Sequence, residues 1–257
     1  MSHPLIVIAG APSWAADIEA KLPDHDAAAL VYTDKNGYIA RLADDNAALI
    51  LVDGADAEWR FWATTPKTSP ATRRIPVVLV TDDPAIRNAG LSGGANLVVA
   101  PADLLARLPD LIGELARVPD PAAQAQLDAQ CGEPLPPDGQ QALSQFNAGE
   151  YYKQHDLFEA LWVAETGPVR DLYRAVLQVG VAYYQVQRGN QRGALKMLLR
   201  SVQWLTLLPD ACQGVDVAQL RADAAAVRAE LERVGPDGMA DFDQGLLKPV
   251  RTIDAPN

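Results

Sequence analysis

The chain has 257 residues, is 49% hydrophobic and carries a formal net charge of −11. This length suits one or two domains, and the acidic balance opposes non-specific binding to nucleic acid, which needs Lys and Arg to neutralise phosphates. No apolar run reaches 18 residues, and the start MSHPLIVIAG has neither a charged leading segment nor a cleavage site, so we expect a cytoplasmic protein without membrane contact.

The first 118 residues alternate short apolar runs with helical patterns. The runs are rich in Val, Ile and Leu and lie at residues 5–9, 28–32, 48–52, 76–80 and 97–100. Runs that are apolar throughout are typical of strands buried on both faces, and their alternation with helices predicts βαβ units. We therefore expect an α/β domain over residues 1–118, with a five-stranded parallel sheet in the flavodoxin-like order 2-1-3-4-5.

Polar residues at the ends of these runs resemble the receiver domain of response regulators. Asp53 ends the third run, where receivers carry the phosphoacceptor, and Thr81 stands at the position of their hydroxyl residue. Receivers place two acids after the first strand and a lysine after the fifth, whereas this chain has Ala9, Gly10 and Ala100 there. The resemblance therefore implies a vestigial phosphoacceptor site that lacks charges needed for Mg²⁺ binding and phosphoryl transfer. The alternative interpretation is that Asp53 is simply a solvated acid at the end of a strand.

Residues 119–140 mix Pro, Gly, Asp and Gln with little periodicity. This composition predicts a linker, with a helical turn near residues 122–129. The linker contains Cys131, and the other cysteine, Cys212, follows a helical pattern. Because the two cysteines stand in unlike contexts, they indicate neither a disulfide framework nor a thiolate metal site, and we expect two reduced thiols.

The remaining residues, 141–257, predict an all-α helical bundle. Helical periodicity recurs in four segments, which lie at residues 146–165, 169–187, 191–207 and 217–234. Gly and Pro separate these segments, and Asn190 is expected to cap the third helix. Scattered apolar residues between Phe242 and Ile253 predict an extended tail across the bundle.

The first helix of this domain carries an unusual polar stripe. Residues three and four apart share a helix face, so Tyr152, His155, Glu159 and Trp162 should line up beside the core. One hypothesis is a buried network that fixes the helices, and the other is a pocket in which Glu159 orients His155 as a general base. His155 and Glu159 have the spacing of two metal ligands, but a metal site needs more than two, so we expect neither a metal nor a cofactor. The candidate network or pocket consists of His155, Glu159, Trp162, Gln178 and Tyr183.

The same region resembles the bacterial and archaeal domain of unknown function numbered 309, from about Leu143 to Ile253. The family shows a glycine, a helix with His, Glu and Trp, a helix with Gln, and a Gly-Asn-x-x-Gly-Ala turn. Asp156 is a departure, because the family usually has glutamate there. The resemblance implies no settled activity. The matching positions are Gly149, His155, Glu159, Trp162, Gln178, Asn190, Gly193 and Ala194.

Charge is distributed unevenly along the chain. Residues 146–208 carry seven Lys or Arg and five Asp or Glu, a balance of +2 that leaves −13 elsewhere. Arg170, Arg174 and Arg188 are therefore candidate anion-binding residues, although arginines on helices commonly just solvate a face. We interpret the chain as a non-enzymatic regulatory or interaction protein that binds protein partners or itself. The alternative is an enzyme or small-anion-binding protein with a pocket centred on His155 and Glu159.

Overall fold

The computed structural model describes residues 3–118 and 120–253, and the chain divides into two compact units, residues 1–118 and 119–257. Each unit has a hydrophobic core of its own. Within the residues that the model describes, no helix has both the length and the apolar character that a bilayer span requires.

The first unit alternates strands and helices along its whole length, as the sequence predicts. Its strands are β1 (Leu5–Ala9), β2 (Ala28–Tyr32), β3 (Ala47–Asp53), β4 (Val77–Val80) and β5 (Leu97–Val99). Its helices are α1 (Ala15–Lys21), α2 (Tyr38–Asp44), α3 (Trp59–Thr68), α4 (Pro84–Ser92) and α5 (Leu104–Leu115).

The sheet of the first unit is parallel throughout and has the order β2-β1-β3-β4-β5. The predicted flavodoxin-like topology is therefore confirmed. Alternate residues of β3 point to opposite faces: Leu49 packs in the core that contains α1 and α5, and Ile50 packs in the core that contains α2 and α3. Helices thus cover both faces, which explains why the strands are apolar throughout.

A proline inside α3 shows how the first unit satisfies its backbone. Pro66 has no N–H, so the carbonyl of Trp62 one turn earlier lacks its helical donor. The hydroxyl of Tyr38 donates to that carbonyl at 3.1 Å, and Tyr38 is only 2% exposed. A buried backbone group that the helix cannot pair is therefore paired by a side chain from α2.

The second unit is mainly helical. Its elements are α6 (Pro121–Cys131), α7 (Pro137–Asn147), α8 (Lys153–Ala164), α9 (Arg170–Gln187), α10 (Gln191–Leu205), β6 (Ala211–Cys212), β7 (Val215–Asp216) and α11 (Val217–Val234). The two short strands form an antiparallel hairpin. The four predicted helices correspond to α8 to α11.

The segment predicted to be a linker is folded where the structure describes it. Residues 120–140 form α6 and the first turn of α7, and Leu127 and Leu135 lie in the core of the second unit. Asp120 accepts a hydrogen bond from Ala122 N–H at 3.0 Å and caps α6. The segment shows little hydrophobic periodicity because α6 buries only one residue, Leu127, and the end of the helix is also fixed by a covalent bond.

That covalent bond is a disulfide between Cys131 and Cys212, which are 81 residues apart. The prediction of two reduced thiols is therefore wrong. The bond joins the end of α6 to β6, and Gln213 N–H donates to the carbonyl of Cys131 at 2.7 Å beside it. Sequence context could not reveal this pairing, because the separation along the chain says nothing about distance in the fold.

The described end of the chain runs over the second unit; the predicted extended tail contains one 3-10 turn at Gln244–Leu246, and residues 247–253 after it are irregular, with one bridge from Thr252 to Val215. Asn147 on α7 binds both backbone groups of Val250, donating to its carbonyl at 3.0 Å and accepting from its N–H at 2.8 Å. Ile253 N–H donates to the carbonyl of Gly214. Phe242 and Val250 are buried, so the tail contributes to the core as the sequence suggests.

Candidate functional site

The carboxyl edge of the parallel sheet brings Asp53 and Thr81 to neighbouring strand ends, as predicted. Gly54 keeps them close, because a Cβ at this position would lie 2.6 Å from the Cβ of Thr81. Both polar groups serve the local backbone: Asp53 Oδ1 accepts from Ala55 N–H at 2.9 Å, and Thr81 Oγ1 accepts from Asp83 N–H at 3.1 Å. These are turn-stabilising hydrogen bonds of the ordinary kind.

Asp56 is a second acid at this edge, and sequence reasoning missed it. Gly10, at the end of β1, has φ +90°, and a Cβ there would lie 2.5 Å from Asp56 Oδ2. The other oxygen of Asp56 accepts from Glu58 N–H at 2.7 Å. The carboxylate from the loop after β3 thus fills the space beside the end of β1. The signal that could have found it is Gly10, which leaves that space open.

The polar stripe of α8 lies beside the core rather than in it. The buried positions of this helix are Gln154 and Phe158, one residue before the predicted stripe at each point. His155 Nδ1 lies 3.2 Å from Asp156 Oδ1 and 4.0 Å from Glu159 Oε2, and the side chains of His155 and Glu159 are 32% and 49% exposed. The predicted pairing of His155 with Glu159 is therefore a loose contact at the surface.

The described residues contain no hydrogen bond that links the members of the predicted network to one another. Gln178 Oε1 and the hydroxyl of Tyr183 are buried and have no hydrogen-bond partner among the described residues. The ring of Tyr183 packs on Phe146 and Tyr151 instead, 5.5 and 5.4 Å between centroids. Burial, together with the charge of Asp223, raises the pKa of Tyr183 above its ordinary value.

Gln154 is the buried polar residue of α8 that sequence reasoning missed. Its Nε2 donates to the carbonyl of Tyr151 at 2.9 Å. The side chain fits only because α9 has a glycine opposite: a Cβ on Gly180 would lie 2.8 Å from Cδ of Gln154. A glycine in the middle of a long apolar helix is the signal that could have indicated a close neighbour.

One arginine of α9 contacts two tryptophan rings of the neighbouring helices. Arg174 Cζ lies 4.5 Å from the ring centroid of Trp162 and 5.8 Å from that of Trp204. Arg170 Nη2 donates to the carbonyl of Trp162 at 3.4 Å. These contacts join α8, α9 and α10 through cation–π packing. We call these residues, Trp162, Arg170, Arg174 and Trp204, the Arg–Trp cluster.

The third candidate arginine is elsewhere. Arg188 Nη1 donates to the hydroxyl of Tyr184 at 3.0 Å, and that ring packs on Tyr152, which stacks on His155. A helix rises about 1.5 Å per residue, so Arg188 lies about 21 Å along α9 from Arg174. The structure brings Arg170 and Arg174 together and leaves Arg188 apart from them.

Two further features suggest structure rather than chemistry. Ser201 on α10 is fully buried and donates to the carbonyl of Leu198 at 2.7 Å, so its hydroxyl is not available as a nucleophile. Asn190 caps α10 by accepting from Gly193 N–H at 3.0 Å, and a Cβ on Gly193 would lie 2.9 Å from Cγ of Asn190. The Gly-Asn-x-x-Gly pattern is thus explained by helix capping. Within residues 3–118 and 120–253, no group of three His, Cys, Asp or Glu side chains could hold a metal ion.

The fold and these sites define a receiver-like α/β unit followed by a helical unit. A family model for DUF309, a domain of unknown function, matches residues 140–197. Solved structures similar to this chain include a proposed response regulator from Chloroflexus aurantiacus, with 17% identity, TM-score 0.37, and coverage of 44% of this chain and all of that one. Another is the Mn²⁺-bound response regulator Rcp1, with 18% identity, TM-score 0.37, and coverage of 46% and 99%. No curated protein matches.

Proposed function

We propose that the chain is a non-enzymatic regulatory or interaction protein that acts through protein partners and whose receiver-like unit takes no phosphoryl group. The observation that carries this proposal is the chemistry at the carboxyl edge of the sheet. Ala9 and Gly10 stand at the end of β1, the neighbour of β3, and Ala100 follows β5 at the same edge of the sheet; Asp53 itself accepts a hydrogen bond from Ala55 N–H.

The electrostatics of this edge oppose phosphorylation. A phosphorylated aspartate adds about 1.5 to 2 negative charges, and the transition state needs cations around the phosphoryl oxygens. Ala100 provides no ammonium group at this edge, and Asp56, the carboxylate beside the end of β1, already accepts a hydrogen bond from Glu58 N–H. A receiver-like unit of this kind presents one constant surface to a partner instead of switching between two.

Phosphodonor labelling tests this proposal. We expect no added phosphoryl mass when the full chain is incubated with acetyl phosphate and excess Mg²⁺ and is analysed by intact-protein mass spectrometry. The matched control is Asp53→Asn, which should be indistinguishable from the original chain. A phosphoryl adduct that appears on the original chain and disappears in Asp53→Asn would contradict the proposal.

A second candidate function is the binding of a small anion at the Arg–Trp cluster. Within the described residues, Trp162 Nε1 and Arg170 Nε are buried N–H donors without an acceptor, and Arg170 already donates through Nη2 to the backbone carbonyl of Trp162. Buried donors generally find acceptors, since leaving one unpaired costs about 1–3 kcal/mol. An anion that enters between these side chains would supply the acceptor. The anion site that we propose is therefore formed by Arg170 and Arg174, and not by His155 and Glu159.

NMR titration with inorganic phosphate and with acetate tests this second function. Arg170→Gln should weaken binding of either anion at least ten-fold, while Arg188→Gln, which lies on the same side of α9 but outside the cluster, should leave binding unchanged. Equal losses in the two variants would indicate general charge attraction. Shifts that survive in Arg170→Gln would remove the cluster as the site.

We also infer a cytoplasmic location, the compartment expected for a receiver-like regulatory protein. Disulfides are uncommon there because thiols are kept reduced, so the bond between Cys131 and Cys212 is the feature of the structure that puts this location to the test. Alkylation of thiols in intact cells before lysis measures the state of the pair. A pair that is closed in unstressed cells would oppose this location.

A further inference from the structure

A cleft in the second unit remains outside the proposed function. It has a volume of about 790 Å³ and lies between the end of α6, the face of α7 that runs from Gln140 to Asn147, the β6–β7 hairpin and residues 252–253. Ligand sites in proteins commonly have volumes of about 300–1,000 Å³. The disulfide Cys131–Cys212 forms part of its wall, so two chain segments that are far apart in sequence are fixed on either side of it.

The wall of the cleft is largely apolar. Besides the disulfide, it contains aliphatic and proline side chains from each contributing segment, namely Pro134, Leu135, Leu143, Pro209, Ala211 and Ile253. Apolar walls of this kind stabilise a ligand by removing its apolar surface from water, at about 25 cal/mol per Å². The body of the ligand should therefore be a hydrocarbon chain or ring.

Most amide side chains of the lining are already committed to the protein. Asn147 uses both of its amide atoms on Val250, and Gln213 accepts from Tyr173 O–H at 3.0 Å and donates to the carbonyl of Gln130. Gln140 donates to the carbonyl of Leu135 at 2.9 Å. These groups hold the shape of the cleft, so they are not the groups that recognise a ligand.

The charge of the lining has a single sign. Asp128 and Glu133 line the cleft, and no Lys, Arg or His is among the lining residues that the structure describes. Asp128 Oδ1 accepts from Gln124 Nε2 at 2.9 Å, which leaves its other oxygen, and no hydrogen bond to the side chain of Glu133 is found within the described residues. The chain as a whole carries −11, which adds to the attraction for a cation.

From the cleft volume, its apolar wall and its two carboxylates, we propose that this cleft binds a small organic cation with an apolar body, such as an alkylammonium compound. The hydrocarbon part lies against Leu135, Leu143 and the disulfide. The ammonium group lies at the acidic side, near Asp128 and Glu133. An anionic ligand of the same length would meet two carboxylates of like charge and would be rejected.

Three eight-carbon probes test the proposal on the full chain by isothermal titration calorimetry: octyltrimethylammonium, 1-octanol and octanoate. We expect the ammonium probe to bind at least ten-fold more tightly than octanoate, with octanol between them. In the double variant Asp128→Asn and Glu133→Gln, the ammonium probe should lose its advantage and bind within about two-fold of octanol. Octanoate binding as tightly as the ammonium probe to the original chain would overturn the proposal.

Occupancy of the cleft is tested by filling it. Ser144→Trp places a large side chain into the lining and should abolish binding of all three probes. The matched control is Ala125→Trp, at an exposed position of α6 outside the lining, which should bind the probes like the original chain and shows that an added tryptophan is tolerated. Ammonium binding that survives Ser144→Trp, or its absence from the original chain, would refute the site.

Discussion

Within the described residues, the two units of this chain differ in how often a buried polar side-chain atom lacks a partner: Trp14 Nε1 and Arg41 Nε are such atoms in the sheet unit, and more of them lie in the helical unit. In the sheet unit, buried side chains pair with backbone groups that turns and prolines leave open: Tyr38 donates to the carbonyl of Trp62, and Thr72 Oγ1 donates to the carbonyl of Pro66. In the helical unit, buried atoms such as the hydroxyl of Tyr183 and Oε1 of Gln178 have no partner within the described residues.

The difference follows from how the backbone groups are hydrogen-bonded in the two units. A regular helix pairs its own N–H and C=O groups, so the interior of a bundle offers a buried side chain few free acceptors or donors. Loops and proline-broken helices around a parallel sheet do offer them. The helical unit therefore carries polar groups that a ligand or partner could pair, and it depends more on a cross-link and on close packing. The predictions below test this contrast from the largest effect to the smallest.

The largest effect should come from opening the disulfide. Its cysteines are 81 residues apart, and a loop of that length is worth about 4–5 kcal/mol in the chain-entropy model. Cys131→Ser with Cys212→Ser should therefore lower the free energy of unfolding of the helical unit by several kcal/mol. Hydrogen exchange read by mass spectrometry reports each unit separately, and protection in α9 should fall by about three orders of magnitude.

The sheet unit is the internal control for this prediction, because both cysteines of the chain lie in the helical unit. Its peptides should exchange at the same rate in the original chain and in the variant. Unchanged protection in both units would mean that hydrogen bonds such as that from Gln213 N–H to Cys131 hold α6 without the cross-link.

Two helical glycines, one in each unit, should respond oppositely to alanine. In Gly180→Ala the added Cβ would lie 2.8 Å from Cδ of Gln154 and 3.2 Å from the ring of Phe146, so we expect a loss of about 1–3 kcal/mol through overpacking. In Gly113→Ala the Cβ of α5 would meet nothing within 4 Å, and the higher helix propensity of alanine should stabilise by about 0.5–1 kcal/mol. Chemical denaturation measures both.

A rescue variant separates overpacking from other causes in the helical unit. Shortening the neighbour with Gln154→Ala should recover part of the loss caused by Gly180→Ala, because the two side chains compete for the same space. Losses that simply add would show that Gly180 is needed for a reason other than Gln154.

The fold could be predicted because its signals are local. Five apolar runs define β1 to β5, and the topology follows from βαβ handedness and alternation. The site residues of α8 were harder to predict, because their roles depend on which of two adjacent stripes of the helix is buried. Tyr152, His155, Glu159 and Trp162 share a face, but so do the neighbouring Tyr151, Gln154 and Phe158, and periodicity alone does not choose between them.

Long-range pairings could not be predicted for a related reason. Cys131 and Cys212 meet because α6 packs on the β6–β7 hairpin, and Trp204 meets Arg174 because α10 packs on α9. Each contact depends on the arrangement of whole helices. The sequence of α6 was also uninformative: it is mostly polar, and only Leu127 is buried in the core, so hydrophobic periodicity does not indicate a packed helix there. Sequence reasoning thus succeeded for elements and strand ends, and failed where side chains from distant segments meet.

The smallest expected effect comes from replacing one buried tyrosine by phenylalanine in each unit, which compares the two units directly. Tyr38 and Tyr183 are 2% and 0% exposed, so replacing either by Phe removes one hydroxyl and little else. Tyr38→Phe removes the donor to the carbonyl of Trp62, which Pro66 has already deprived of its helical partner, and should cost about 1–2 kcal/mol. Tyr183→Phe removes a buried hydroxyl that has no partner among the described residues, and should be neutral or stabilise by up to about 1 kcal/mol. Urea denaturation of the two variants side by side measures the difference. A clear destabilisation by Tyr183→Phe would show that its hydroxyl is paired in solution, for instance by a bound water, and the contrast between the units would then fail at this position.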